Sequence, residues 1–419
     1  MKHRFSLFIA LMGFFCVLAV SVPASASSNT SPDIYANAAI AVDAQTGQIL
    51  YQKNAHQPRA IASISKLMTV YIVHHEIKQH RLAWGDKVKI TSALARLSTA
   101  SGLTNVPLKA GRSYTVRELV NATLVASANA AALALGQKVA GSSTKFAELM
   151  NQTAHKMGIK DGKFYNASGL TNKLTGKLAL QHVSANAENM LSASDVALVA
   201  KNLLKQFPKV THITKQTSGT FYGTQMSGHN QLIGDNNIAK GVQVDGLKTG
   251  TSDKAGACFV GSATQKGKHR IITVVLGARN KSASDPARFI QTAKLMRSVY
   301  TTQHPIKIAA GTKISGVGKV QIPDGKQESI TPVTKATNLV WAANATKQNH
   351  VSGKFVKKPA KLASPTKKNT VAGKVHLRIN DKRLQYIGKS TGDFVMVTKN
   401  SVKKANPFVR LWRAILRLF

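Results

Sequence analysis

Cysteine is almost missing from this chain: 419 residues hold two, Cys16 and Cys258. That excludes a disulfide-stapled scaffold and any zinc site built on several thiolates. Acidic residues are scarce as well. Only 17 Asp and Glu stand against 58 Lys and Arg, a formal charge of +41. The surroundings of such a chain are anionic: lipid headgroups, an acidic polymer or nucleic acid. Apolar runs of membrane-spanning length are lacking too. Phe5 to Val20 is nearly all apolar but is 16 residues long, short of the roughly 20 that cross a bilayer as a helix. The 13 histidines show no metal spacing; His74 and His75 are adjacent and point to different helix faces. What the chain does have is a 43% hydrophobic content, enough for a sizeable core, so wholesale disorder is excluded.

The ends narrow the choice of anionic partner. Lys2 and Arg4 precede the apolar run, and Ala24-Ser25-Ala26 follows it with the small-x-small pattern of a cleavage site. Residues 1–26 therefore read as an export signal that is removed. Cys16 leaves with it, and Cys258 remains as a buried small hydrophobe rather than a nucleophile. Export disfavours nucleic acid and leaves anionic lipid and anionic wall polymers. At the other end, Phe408, Leu411, Trp412, Ile415 and Phe419 fall on one helical face, with Arg410, Arg413 and Arg417 opposite and Pro407 at the start. Fourteen residues, 406–419, make about 20 Å of helix, too short to span a bilayer. The segment is expected to lie in an anionic membrane surface, apolar face down and arginines toward phosphates. Lys399 to Asn406 reads as a polar linker to it. The expected location is the outer face of the cytoplasmic membrane, held peripherally by this helix.

Between the ends, Ala38 to Asp43 and Gln48 to Gln52 flank Ala44-Gln45-Thr46-Gly47, a hairpin pattern. Helical spacing follows over about 61–80. Leu119 to Val139 reads as two helices broken near Ser127, and Ser194 to Phe207 as a helix capped by Ser192 or Ser194 and ended by Pro208. Strands are expected near 242–249, 256–264 and 270–277, then a helix over 283–300. The order gives a mixed α/β domain, an antiparallel sheet covered by helices. Beyond about 304 the segments become short, Thr/Val/Lys-rich and turn-punctuated, at Pro323-Asp324-Gly325, Val351-Ser352-Gly353 and Asn380-Asp381. This reads as a small all-β sandwich or barrel. Residues 305–419 carry 23 Lys and Arg against four acids, so the charge excess is shared by both parts. The expected division is 1–26 signal, 27–304 main domain, 305–403 all-β domain and 404–419 amphipathic helix.

Three short motifs carry the chemistry. The first is Ser63-Ile64-Ser65-Lys66. A serine needs a base to become a nucleophile. On a helix, i and i+3 share a face, so Lys66 can reach Ser63. Burial and nearby cations can lower a lysine's pKa into the range of a base. A helix N-terminus favours a developing oxyanion. Ser-x-x-Lys also occurs at Ser142, Ser364 and Ser401, but only Ser63 opens a helix with apolar residues following. The second motif is Ser127-Ala128-Asn129, at the break between two apolar helices; Ser-x-Asn recurs at Ser184. The third is Lys248-Thr249-Gly250, which occurs once. Its lysine and threonine offer a cation and a hydroxyl to a carboxylate, and its glycine would let a substrate backbone come close.

In this order, and with the flanks Ala62 to Thr69, Val244 to Thr251 and Asp253-Lys254-Ala255-Gly256, the chain resembles the low-molecular-mass penicillin-binding proteins, serine D-alanyl-D-alanine carboxypeptidases. The resemblance covers nearly the whole chain after residue 26. It implies a β-lactamase/transpeptidase-like catalytic domain followed by the small all-β domain and the terminal helix. It implies peptidoglycan stem peptides as substrate, β-lactams as inhibitors, and neither metal nor cofactor. Site by site, it implies Ser63 as nucleophile, Lys66 as base, Ser127 as proton relay, Asn129 on the substrate amide, and Lys248 with Thr249 on the terminal carboxylate. The backbone N–H groups of Ser63 and Thr251 would form the oxyanion hole. Two departures stand out. Ala130 replaces a common acid, and Phe164 to Leu170 lacks the histidine and proline frequent in that segment. Both are expected to lie clear of the reacting atoms. A class A β-lactamase would need a glutamate some 35 to 40 residues past the middle motif, and none lies between Glu148 and Glu188. A catalytically inactive basic wall-binding protein is the reading from a different class. A transpeptidase would share the chemistry with a different acceptor.

Overall fold

The computed structural model describes residues 31–279, 285–344, 346–347, 350–357 and 359–416. The export signal expected over 1–26, with Cys16, lies outside the described residues, as do Arg417 and Phe419.

Five strands form the central sheet: β1 (Ala36–Asp43), β2 (Ile49–Lys53), β3 (Val242–Ser252), β4 (Gly256–Gln265) and β5 (Lys268–Ala278), in the order β2-β1-β5-β4-β3, with every neighbouring pair antiparallel. The sequence dictates the first hairpin closely. Asp43 Oδ1 accepts from the Thr46 N–H at 2.6 Å and the Thr46 hydroxyl at 2.7 Å, while Gly47 takes φ +81°, which glycine adopts without penalty.

Alternation along β1 sends its side chains to two cores. Ala38, Ile40 and Val42 enter a large cluster shared with the helices α1 (Lys66–Lys78), α2 (Ser92–Ser98), α3 (Val116–Leu124), α4 (Asn129–Ala140), α5 (Ser143–Met157) and α6 (Ala193–Gln206). Ala39 and Ala41 face the other way, against α8 (Ala287–Thr302) through Phe289, Leu295, Met296 and Val299. A single turn, α7 (Thr211–Thr214), lies between. Two helix starts carry capping boxes, Thr115 with Glu118 and Ser192 with Asp195, which satisfy orphan N–H groups reciprocally.

After α8 the chain becomes all-β, as expected. The ribbon Gln303–Ile308 with Asn338–Ala343 packs over a curled sheet containing Val351–Phe355, Val371–Ile379 and Asp393–Val397. Ile306, Ile308, Val340, Val375, Leu377 and Met396 fill the space between. Asn380-Asp381 is a turn as read, both residues at positive φ. Val351-Ser352-Gly353 is not. It is a strand, because Val351 is buried and a Cβ on Gly353 would lie 2.9 Å from Ile314 Cγ2: the glycine serves close packing instead of chain reversal. Lys399 to Asn406 is not a free linker either. Val402 is buried and bridges Thr366, and Lys404 bridges Gly325.

This β region meets the first hairpin through buried polar bonds. The Trp341 indole donates to Asp43 Oδ2 at 3.0 Å, the Trp341 N–H donates to Gln48 Oε1 at 2.9 Å, and Gln48 Nε2 returns a bond to the Trp341 carbonyl at 2.8 Å. The hairpin tip also pairs with Gln385 and Ile387. Helix α9 (Pro407–Leu416) closes the described chain, capped by Asn406 Oδ1 accepting from the Val409 N–H at 2.8 Å. No helix among the described residues is long and apolar enough to cross a membrane.

Candidate active site

Ser63 sits in a 3-10 turn, Ala62–Ser65, that runs directly into α1. Residues at i and i+3 eclipse in such a turn, which brings Lys66, the first residue of α1, beneath Ser63. Ala62 before it is held at φ +44°, an uncommon conformation for a residue with a Cβ. Gly250 and Gly169 make this geometry possible. A Cβ on Gly250 would meet the Ile61 carbonyl at 2.7 Å, and one on Gly169 would fall 1.9 Å from the Ala62 carbonyl. The space at Gly250 thus receives the Ser63-bearing turn of the protein itself, where a substrate backbone was expected.

Lys66 is 0% exposed. Its Nζ donates to Asn129 Oδ1 at 2.7 Å and to the Ser168 carbonyl at 2.8 Å, and lies 2.7 Å from Ser63 Oγ. None of the three partners is a carboxylate. Burial, reinforced by the charge of Lys248, holds this ammonium well below the ordinary lysine range. A neutral amine has two N–H bonds and one lone pair. The acceptors on Asn129 and Ser168 take the two N–H bonds and leave the lone pair facing the Ser63 hydroxyl. That is the geometry of a general base. The Phe164–Leu170 segment, expected from the sequence to lie clear of the site, therefore contacts Lys66 through the Ser168 carbonyl. Its own order comes from Asn166, whose Oδ1 accepts from the N–H groups of Ser168 and Gly169 and from the Ser168 hydroxyl.

Ser127 lies in the loop between α3 and α4 at φ +57°, nearly buried. Asn129 opens α4, where both its backbone N–H and its Nδ2 donate to the Thr104 carbonyl at 3.0 Å. Lys248 sits on β3 opposite Val260, is 3% exposed, and donates to the Thr249 carbonyl at 3.0 Å. Burial, with Arg288 adding to it, lowers its pKa to about 7. Ser63, Ser127, Thr249 and Thr251 line one cleft of about 260 Å³. Lys66, Asn129 and Lys248 lie buried behind its wall. The other Ser-x-x-Lys serines are elsewhere; Ser142 is the N-cap of α5.

The sequence profile of the D-alanyl-D-alanine carboxypeptidases matches residues 25–280. The D-alanyl-D-alanine carboxypeptidase DacD of Escherichia coli K12 is 31% identical over 383 residues, covering 91% of this chain and 90% of that protein. This chain belongs to the D-alanyl-D-alanine carboxypeptidase family. The carboxypeptidase is a serine-type hydrolase of peptidoglycan metabolism. Solved structures agree. A peptidoglycan synthesis regulatory factor, PBP3, from Streptococcus pneumoniae superposes with a TM-score of 0.71 at 37% identity, over 89% of this chain and 100% of that one. The ampicillin-bound penicillin-binding protein D2 of Listeria monocytogenes reaches 0.54 at 30% identity, over 65% and 100%.

Several groups of the carboxypeptidase's cleft escaped the sequence reading. Arg288, on α8, lines the cleft and is nearly buried, its guanidinium donating to the Gly250 carbonyl at 2.9 Å and the Cys258 carbonyl at 3.3 Å. A charge on the helix face otherwise occupied by Leu295, Met296 and Val299 was the signal available for it. His229 lines the same cleft; burial, then Lys248, holds its imidazole below the usual range. Thr104, Gln231, Asp285 and Phe289 also line the cleft and carry no motif. Cys258 is fully buried on β4, and desolvation pushes its thiol up to about 11, so at neutral pH it is a protonated, inert side chain.

Proposed function

We propose that Ser63 is the nucleophile of the carboxypeptidase and Lys66 its base, acting on the bond between the last two D-alanines of a peptidoglycan stem. The environment of the Lys66 amine carries the proposal: fully buried, bonded through two N–H groups, and facing the Ser63 hydroxyl at 2.7 Å. Ser63 Oγ forms an ester bond to the carbonyl carbon while its proton passes to Lys66. The C–N bond breaks, and Ser127 relays a proton to the departing D-alanine amine. Water then attacks the ester and returns the proton to Ser63. Asn129 binds a substrate amide, Lys248 and Thr249 hold the terminal carboxylate, and the N–H groups of Ser63 and Thr251 stabilise the oxyanion.

Penicillin is a substrate mimic in this scheme and leaves Ser63 acylated. The ampicillin-bound and cefotaxime-bound forms of the Listeria protein support this. Intact mass after mixing with penicillin tests it. A persistent adduct of one penicillin, missing in Ser63→Ala, is the expected result. Folded protein that forms no adduct and leaves penicillin intact would defeat it, in favour of an inactive basic wall-binding protein. Rapid hydrolysis without an adduct would mean a β-lactamase.

The reading extends to the chain ends. Residues 1–26 are an export signal, 27–304 the catalytic domain, 305–403 the all-β domain, and 404–419 the helix that holds the protein on an anionic membrane surface. The charge of +41, which falls by two when Lys2 and Arg4 leave with the signal, draws it toward anionic lipid and wall polymers. Retention of the secreted protein by membranes, lost on deletion of 404–419, tests the anchor.

A further inference from the structure

Helix α9 is attached to its own protein by the wrong face. An amphipathic helix that docks on a core buries its apolar side. Here Phe408 is 84% exposed, Leu411 63% and Trp412 62%, and among the described helix residues only Arg410 and Arg413 are partly covered. Arg413 donates to the Gly325 carbonyl at 2.7 Å and pairs with Glu328, and Arg410 stands 3.9 Å from Asp324. Just ahead of the helix the backbone gathers lysines. Lys326 donates its N–H to the Lys403 carbonyl, Lys368 donates its N–H to Ser401 Oγ, and Val402 bridges Thr366. Lys326, Lys367, Lys368, Lys399, Lys403 and Lys404 are therefore neighbours, all exposed.

We infer that Arg410 and Arg413 form a latch to Asp324 and Glu328 that fixes the helix with its apolar face outward, and that the lysine collar, not the arginines, contacts the headgroups of an anionic bilayer. The inference rests on the anchor reading above and changes which cations do the work. Each latched arginine is paired with a carboxylate and contributes little net attraction to lipid, while each collar lysine is free to add its own. The latch also holds the helix in one orientation before it reaches a surface, so less ordering is left for the binding step.

The full chain is mixed with phosphatidylcholine vesicles, with and without phosphatidylglycerol, and binding is measured by co-sedimentation. Lys399→Gln/Lys403→Gln/Lys404→Gln loses affinity for the anionic vesicles on the order of 100-fold. Arg410→Gln/Arg413→Gln/Asp324→Asn/Glu328→Gln, which removes the latch without changing the net charge, loses less than about threefold, yet speeds amide exchange across 408–416 in solution. Asp324→Asn/Glu328→Gln speeds the same exchange with both arginines present. Equal losses from the lysine variant and the fourfold latch variant, or exchange unchanged in both latch variants, overturn the inference. Trp412→Glu separates it from the anchor reading: if vesicle binding survives that change, the anchor reading fails, and the exchange data still decide the latch.

Discussion

The cations of the cleft and the cations of helix α9 are held in opposite ways. Lys66 and Lys248 are buried, and their bonded partners are carbonyls, two hydroxyls and an amide. Arg410 and Arg413 stay partly exposed and face carboxylates. Burial without a counter-ion costs free energy and appears as a lowered pKa. Exposure with one costs little and stabilises little. The first arrangement lowers a lysine's proton affinity; the second leaves an arginine charged beside a carboxylate. Charge alone, abundant everywhere in this chain, distinguishes neither.

The largest effect is expected at Lys66. Lys66→Ala should slow penicillin acylation by about 1,000-fold, the usual scale of a lost general base, with the fold intact by circular dichroism; a loss below tenfold would mean that another group takes the proton. Lys248→Gln should lower kcat/KM for a D-Ala-D-Ala peptide by about 10- to 100-fold, since a charge-assisted carboxylate contact is lost, and should spare a substrate with an amidated C-terminus. The pH profile sharpens the contrast. In the proposed mechanism Lys66 acts as a neutral amine, so kcat/KM should rise as it deprotonates, below the ordinary lysine range. Lys248 acts as a cation there, so kcat/KM should fall as pH rises through about 7. Lys248→Arg keeps its charge and should remove the falling limb. Stability has its own sign. A depressed lysine pKa means that the unfolded chain binds the extra proton, so stability rises with pH above the folded value; Lys248→Met should flatten that rise in urea titrations at pH 7 and 8.5. At the other pole, Arg413→Gln should change global stability by less than about 1 kcal/mol. Cys258→Ala should leave acylation nearly unchanged by the mass assay; lost acylation in a folded variant would restore the thiol to the mechanism.

Much of the fold was legible because local chemistry agreed with it. The Ala44-Gln45-Thr46-Gly47 turn announces the hairpin, a serine at 192 or 194 announces α6, with Ser192 the actual cap, and Pro208 ends it. The motif residues were legible because the Ser63–Lys66 spacing is itself the geometry. What escaped depends on chain segments far apart. The Ser168 carbonyl meets Lys66 across 102 residues, and a carbonyl leaves no mark in a sequence. Arg288 reaches Gly250 on β3 from α8. Gly250, Gly169 and Gly353 were legible as glycines but not as vacancies for particular neighbours. Lys399 to Asn406 looked like a linker because its lysines hide one buried Val402.

The bonds among Asp43, Gln48 and Trp341 have a mechanical consequence. Sliding the β region against the hairpin would strand a buried indole N–H and a buried amide, at about 1–3 kcal/mol for each group left unpaired. The joint therefore behaves as a rigid bracket, unlike a swivel. A force or tilt applied to the β region is therefore passed to the first hairpin and its sheet as a displacement rather than absorbed by rotation at the joint.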